Sequence, residues 1–86
     1  MATVTIRYWA AAKDAAGAAE EVVQAGTLAE ALEAALAGRP ADSQLHAVLS
    51  RSSFLVDGRQ AGRQVAADLV LREGATIEVL PAFAGG

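Results

Sequence analysis

The chain has 86 residues, 53% hydrophobic and 20% charged, with ten acids against seven bases and a net charge of −3. That length holds one domain, whose core buries about 60–65% of the surface an unfolded chain exposes, and the apolar fraction excludes intrinsic disorder. The absence of cysteine rules out a disulfide framework and a thiolate nucleophile and points to the cytoplasm, while bases scattered this thinly exclude the phosphate-neutralising surface of a nucleic-acid binder.

In chain order, Val4, Ile6 and Tyr8 alternate with Thr3, Thr5 and Arg7, a period of two that predicts the first strand. The same alternation leaves no charged-then-apolar secretory signal. No apolar run approaches the roughly 20 residues that cross a bilayer, so no membrane partner is expected. Trp9 falls on the outer face of this strand. "AAAKDAAGA", residues 10–18, is a short connection with room for one helical turn, closed by Gly17. A second strand runs through Glu21-Val22-Val23-Gln24.

Thr27 and Glu30 form a capping box, in which the threonine hydroxyl accepts from a first-turn amide and the glutamate reaches back to the amide of Thr27. Leu28, Leu32, Ala35 and Leu36 then recur at helical spacing, with Glu30, Glu33 and Ala34 elsewhere on the wheel. Gly38 ahead of Arg39-Pro40 stops this helix. Leu45, Val48 and Leu49 repeat the spacing over one or two turns. Phe54-Leu55-Val56 leads into Asp57-Gly58, a dipeptide suited to a turn with positive φ at both residues, and Arg59-Gln60 begins the return of a hairpin. Val65 and the run Leu69-Val70-Leu71 precede the Glu73-Gly74 turn. That turn feeds a last strand, where Ile77 and Val79 alternate with Thr76 and Glu78.

One helix among several strands predicts an α+β domain: a small mixed sheet with one main helix packed on one face and water on the other. Trp9 and Leu80 share parity with Arg7 and Glu78 and so belong to the wet face. If their strands are neighbours, they form an exposed apolar patch with Phe83 close by.

Few side chains offer chemistry. His46 is the only histidine and no carboxylate pattern joins it, so no metal site is predicted. Gly58-Arg-Gln-Ala-Gly62 lacks the Gly-Lys-Ser/Thr ending of a phosphate loop. Glu20-Glu21, Glu30 and Glu33 read as solvated faces. With no nucleophile–base or acid–base pair, the chain is not expected to catalyse on its own or to bind a cofactor.

The reactive group that remains is the terminal carboxylate on Gly86, ionised at neutral pH. A carboxylate is a poor acyl donor and must first be activated, for example as an acyl adenylate made by another enzyme. The ending "PAFAGG" suits delivery to such an enzyme. Pro81 has fixed φ and no amide hydrogen, so it ends the strand ladder. Residues 81–86 reach about 20 Å when extended, and Gly85 and Gly86, lacking Cβ, pass through a narrow channel that a partner's backbone can grip. The chain thus divides into a body, 1–80, and a tail, 81–86.

Four stretches, "VTIRYWAAAKDAAG", "TLAEALEAAL", "FLVDG" and "REGATIEVLPAFAGG", together resemble the small subunit of molybdopterin synthase, a family of ubiquitin-like sulfur carriers with a β-grasp fold. The resemblance covers essentially the whole chain. It implies that the first and last strands lie side by side and parallel, that Trp9, Leu80 and Phe83 dock on a partner, and that Gly85 and Gly86 are the inserted tail.

The resemblance also implies a sequence of partners. An E1-like adenylyltransferase and sulfurtransferase would use ATP to adenylate Gly86 and convert it to a thiocarboxylate. The large synthase subunit would then take in the tail, and sulfur would pass to cyclic pyranopterin monophosphate. Pro81-Ala82 stands where the family often has Pro-Pro, and Ala84 where it often has a small polar residue. Carriers feeding thiamine or cysteine biosynthesis share the terminal Gly-Gly, and a ubiquitin-like modifier joined to lysines is the alternative from another class. Tyr8-Trp9 followed by alanines favours molybdopterin.

Overall fold

The computed structural model describes residues 2–40, 42–60 and 69–81. Strand β1 (Ala2–Tyr8) is followed by helix α1 (Ala10–Ala16), strand β2 (Glu20–Ala25), helices α2 (Leu28–Leu36) and α3 (Gln44–Leu49), and strands β3 (Ser52–Val56), β4 (Arg59–Gln60) and β5 (Thr76–Pro81). The strands form one sheet in the order β2-β1-β5-β3-β4. β1 and β5 are parallel and every other pair is antiparallel, so the sheet is mixed, with the first and last strands side by side as the resemblance implied.

Alternation decides which face is dry. Val4, Ile6, Tyr8, Phe54, Ile77 and Val79 are buried on one side of the sheet, under Ala12 of α1, Leu28, Ala31 and Ala35 of α2, and Leu45, Val48 and Leu49 of α3. Thr3, Thr5, Arg7, Glu78 and Leu80 take the other side, where they are half-buried or exposed. α2 is the longest of three helices among the described residues. Its deepest contacts are Leu28, Ala31 and Ala35, while Leu32 and Leu36 pack at the margin of the core.

The connection after β1 is more helical than expected, two turns instead of one. Its alanines are strong helix formers, Ala12 is completely buried, and Gly17 closes the helix at φ 79° with its N–H donating to the Lys13 carbonyl. The capping box also differs by one residue. Thr27 Oγ1 accepts from the Glu30 amide at 3.2 Å, but Glu30 Oε1 accepts from Gly26 N, not from Thr27, at 2.8 Å. The approach is close, since a Cβ on Gly26 would stand 3.0 Å from that oxygen.

Leu69-Val70-Leu71 stands outside the sheet and makes a single isolated bridge, Val70 to Thr27. The Leu28 amide donates to the Leu69 carbonyl and the Leu71 amide to the Gly26 carbonyl, each at 2.9 Å. This stretch therefore supplies a partner for an amide that the first turn of α2 leaves open. Val65 lies outside the described residues. The Asp57-Gly58 turn has positive φ at both residues, 51° and 83°, the geometry that matches strand twist in a two-residue hairpin. Asp57 is fixed to the start of β5: its N–H donates to the Thr76 carbonyl at 2.9 Å and its Oδ1 accepts from Thr76 N at 3.0 Å.

Pro81 is the last residue of β5, opposite Ser52, so the ladder ends at this proline. A proline is tolerated there because a strand terminus need not donate to the ladder.

Candidate functional site

The register of β1 against β5 places the candidate site. Tyr8 pairs with Val79, the last of the parallel pairs, so Trp9 and Leu80 each follow by one residue at the same end of adjacent strands. Both belong to the wet face. Trp9 is 43% exposed, and Leu80, half-buried, lies opposite Ser53 of β3. The chain leaves β5 at Pro81, at this same end. Phe83, Gly85 and Gly86 lie outside the described residues.

A polar row borders the apolar pair. Glu20, Arg7 and Glu78 are consecutive cross-strand partners over β2, β1 and β5. Arg7 Nε lies 3.8 Å from Glu20 Oε2, and its guanidinium carbon stands 5.2 Å from the centroid of the Trp9 ring. The shared parity of Arg7 and Trp9 is legible in the sequence, and their close approach is not. Spacing of i and i+2 on a strand was the available signal, since it sets two side chains on one face.

Among the described residues no cluster of His, Asp and Glu is placed to hold a metal ion, and His46 is an exposed residue of α3. No helix among them is long and apolar enough to cross a membrane. Nothing described assembles an acid–base or nucleophile–base pair at this end of the sheet. What the arrangement offers is one exposed indole and a half-buried leucine at the same strand end, with a charged border, beside the point where the chain leaves β5.

The ThiS family profile matches residues 6–86. The chain belongs to the ThiS family. Its fold is the β-grasp of ubiquitin-like proteins. The small archaeal modifier protein 1 of Methanosarcina acetivorans superposes with a TM-score of 0.83 at 21% identity, covering 100% of this chain and 98% of its own. Subunit 1 of a molybdopterin converting factor from Pyrococcus furiosus gives 0.69 at 18% identity, covering 96% and 100%. The complex of subunits 1 and 2 of the molybdopterin-converting factor of Helicobacter pylori gives 0.68 at 21%, covering 98% and 99%. No curated protein sequence matches. This ThiS-family chain therefore shares its fold with small archaeal modifier proteins and with molybdopterin-converting-factor subunits.

Proposed function

We propose that this chain is a sulfur carrier that acts as the small, non-catalytic subunit of molybdopterin synthase. The observation that carries the reading is the family match over residues 6–86, together with an apolar patch at the strand end from which the chain proceeds to its two glycines. An E1-like partner joins the Gly86 carboxylate to the AMP moiety of ATP, releasing pyrophosphate. The terminal sulfur of a sulfurtransferase persulfide displaces AMP to give an acyl disulfide, and a second thiol of that enzyme cleaves it, leaving the thiocarboxylate on Gly86 and a disulfide on the enzyme. Trp9, Leu80 and Phe83 dock on the large subunit while Gly85 and Gly86 enter its active site, where the sulfur leaves for the pterin precursor. The likeness to one half of the Helicobacter pylori subunit complex supports such a large-subunit partner.

The test is mass spectrometry of the chain after incubation with its activating enzyme, ATP and a sulfur source. One oxygen-to-sulfur exchange at Gly86 is expected. No exchange, in a mixture where a known carrier is converted, would remove the reading. The likeness to small archaeal modifier proteins favours a second reading, in which Gly86 forms isopeptide bonds with lysines of targets. Immunoblots of cell extract separate the two, because a modifier gives ladders of larger conjugates and a carrier gives free protein.

A further inference from the structure

Arg7 stands between the acidic edge of the sheet and the indole of Trp9. Its guanidinium carbon, 5.2 Å from the ring centroid, is inside the roughly 6 Å over which a cation is attracted to an aromatic face, and tryptophan is the best of those faces. On the β2 side its Nε meets Glu20 Oε2 at 3.8 Å. On the β5 side its partner in the ladder is Glu78.

The fold has little use for these contacts. The side chains of Arg7 and Glu20 are 46% and 60% exposed, and ion pairs this open add almost nothing to stability. What they constrain is a ring. Trp9 leaves β1 with extended backbone, φ −116° and ψ 149°, and an indole this exposed, left unheld, would exchange between rotamers. Freezing such a side chain on association weakens binding, and a side chain already ordered avoids that loss.

We propose that Arg7 is a positioning residue for the docking surface. It stacks on Trp9 and holds the indole in one orientation across the wet face before a partner arrives, and Glu20 in turn holds Arg7. The inference rests on the reading of Trp9 as a docking residue. Arginine suits the role where lysine would not, because a planar guanidinium can lie on a ring while its Nε faces a carboxylate. The partner thus meets a pre-set ring with Leu80 beside it and a charged row behind it, and needs an apolar recess shaped for one indole orientation.

Trp9 is the only tryptophan, so time-resolved fluorescence anisotropy of the free, full-length chain reads this side chain alone. Arg7→Met should add a fast local motion of the indole that the parent chain lacks, with the denaturation midpoint unchanged. Arg7→Lys should behave like Arg7→Met, and Glu20→Gln should give a smaller effect in the same direction. Titrated against the large molybdopterin-synthase subunit of the same organism, Arg7→Met should bind about 2- to 5-fold more weakly, and Trp9→Ala more weakly still.

Indole motion identical in Arg7→Met and the parent would overturn the proposed stacking. Faster motion with unchanged affinity would overturn its role in docking. If Trp9→Ala itself bound normally, the docking reading would fall first, and with it the purpose assigned to Arg7.

Discussion

Tyr8 Oη donates a 2.6 Å hydrogen bond to Glu21 Oε1, joining β1 to β2 beneath the helices. The same oxygen lies 3.9 Å from Arg39 Nη2. Arg39 also donates from Nε to the Ala35 carbonyl at 3.1 Å and from Nη2 to the Ala16 carbonyl at 3.2 Å. One guanidinium thus satisfies last-turn carbonyls of both α1 and α2, groups that a helix end leaves open. Burial pushes the Tyr8 hydroxyl up from its ordinary value, and the hydrogen bond and charge of Glu21 push it further, against a smaller opposing pull from Arg39.

This shift sets an alkaline limit on stability. A phenol whose folded value lies above its unfolded one stabilises the fold fully below the unfolded value, about 10, and loses that contribution as pH rises through the folded value. The unfolding free energy should therefore decline above about pH 10. Tyr8→Phe should lose about 1 kcal/mol at neutral pH yet show a flatter alkaline profile. Denaturant titrations at stepped pH check this, with tyrosinate absorbance of the only tyrosine as reporter. Equal alkaline slopes would absolve Tyr8.

The start of α2 gives a test of coupling. Thr27→Ala removes the acceptor of the Glu30 amide and should cost about 1 kcal/mol. Gly26→Ala places a Cβ 3.0 Å from Glu30 Oε1, which displaces that carboxylate and breaks its bond to the Gly26 amide. In a Glu30→Ala background this Gly26 penalty should largely vanish. Chemical denaturation of the single and double variants reads the coupling, and additive losses would contradict the geometry.

Core and surface aliphatics should part widely. Ile77, completely buried in the central strand β5, should cost about 2–5 kcal/mol as Ile77→Ala, enough to unfold a small domain at physiological temperature. Val70 is 77% exposed, and Val70→Ala should stay within about 0.5 kcal/mol of the parent. Thermal melts followed by circular dichroism distinguish the two.

Docking should depend on the apolar pair. Trp9→Glu and Leu80→Glu each place a charge where the proposed contact is desolvated, and each should weaken large-subunit binding by about 2 kcal/mol, roughly 30-fold. Calorimetric titration measures this, with circular dichroism confirming that the variant is folded. Unfolding of Trp9→Glu would instead make Trp9 a core residue.

Much of this was legible in the sequence because local chemistry agreed with the final packing. Val4, Ile6 and Tyr8 alternate for the same reason that they are buried, and Asp57-Gly58 adopts the positive φ that its composition favours. The wet-face placement of Trp9 and Leu80 followed from parity alone. What was not legible depended on distant residues. That Leu69 and Leu71 bond to the entry of α2 is a tertiary fact that no period reveals. The deep burial of Ala31 in place of Leu32 follows from how closely α2 lies on the sheet, where small residues permit approach. Arg39 joins three elements, α1, α2 and β2, through contacts from 4 to 23 residues away, beyond any local pattern.

The position of β5 has a biosynthetic consequence. It separates β1 from β3, so a nascent chain that has not yet reached Thr76 holds two unjoined ribbons whose facing edges have nothing to bond. Only the arrival of the last strand closes the gap. A chain truncated before Thr76 therefore lacks the strand that holds the two halves of the sheet together, and its unpaired edges stay open to other chains.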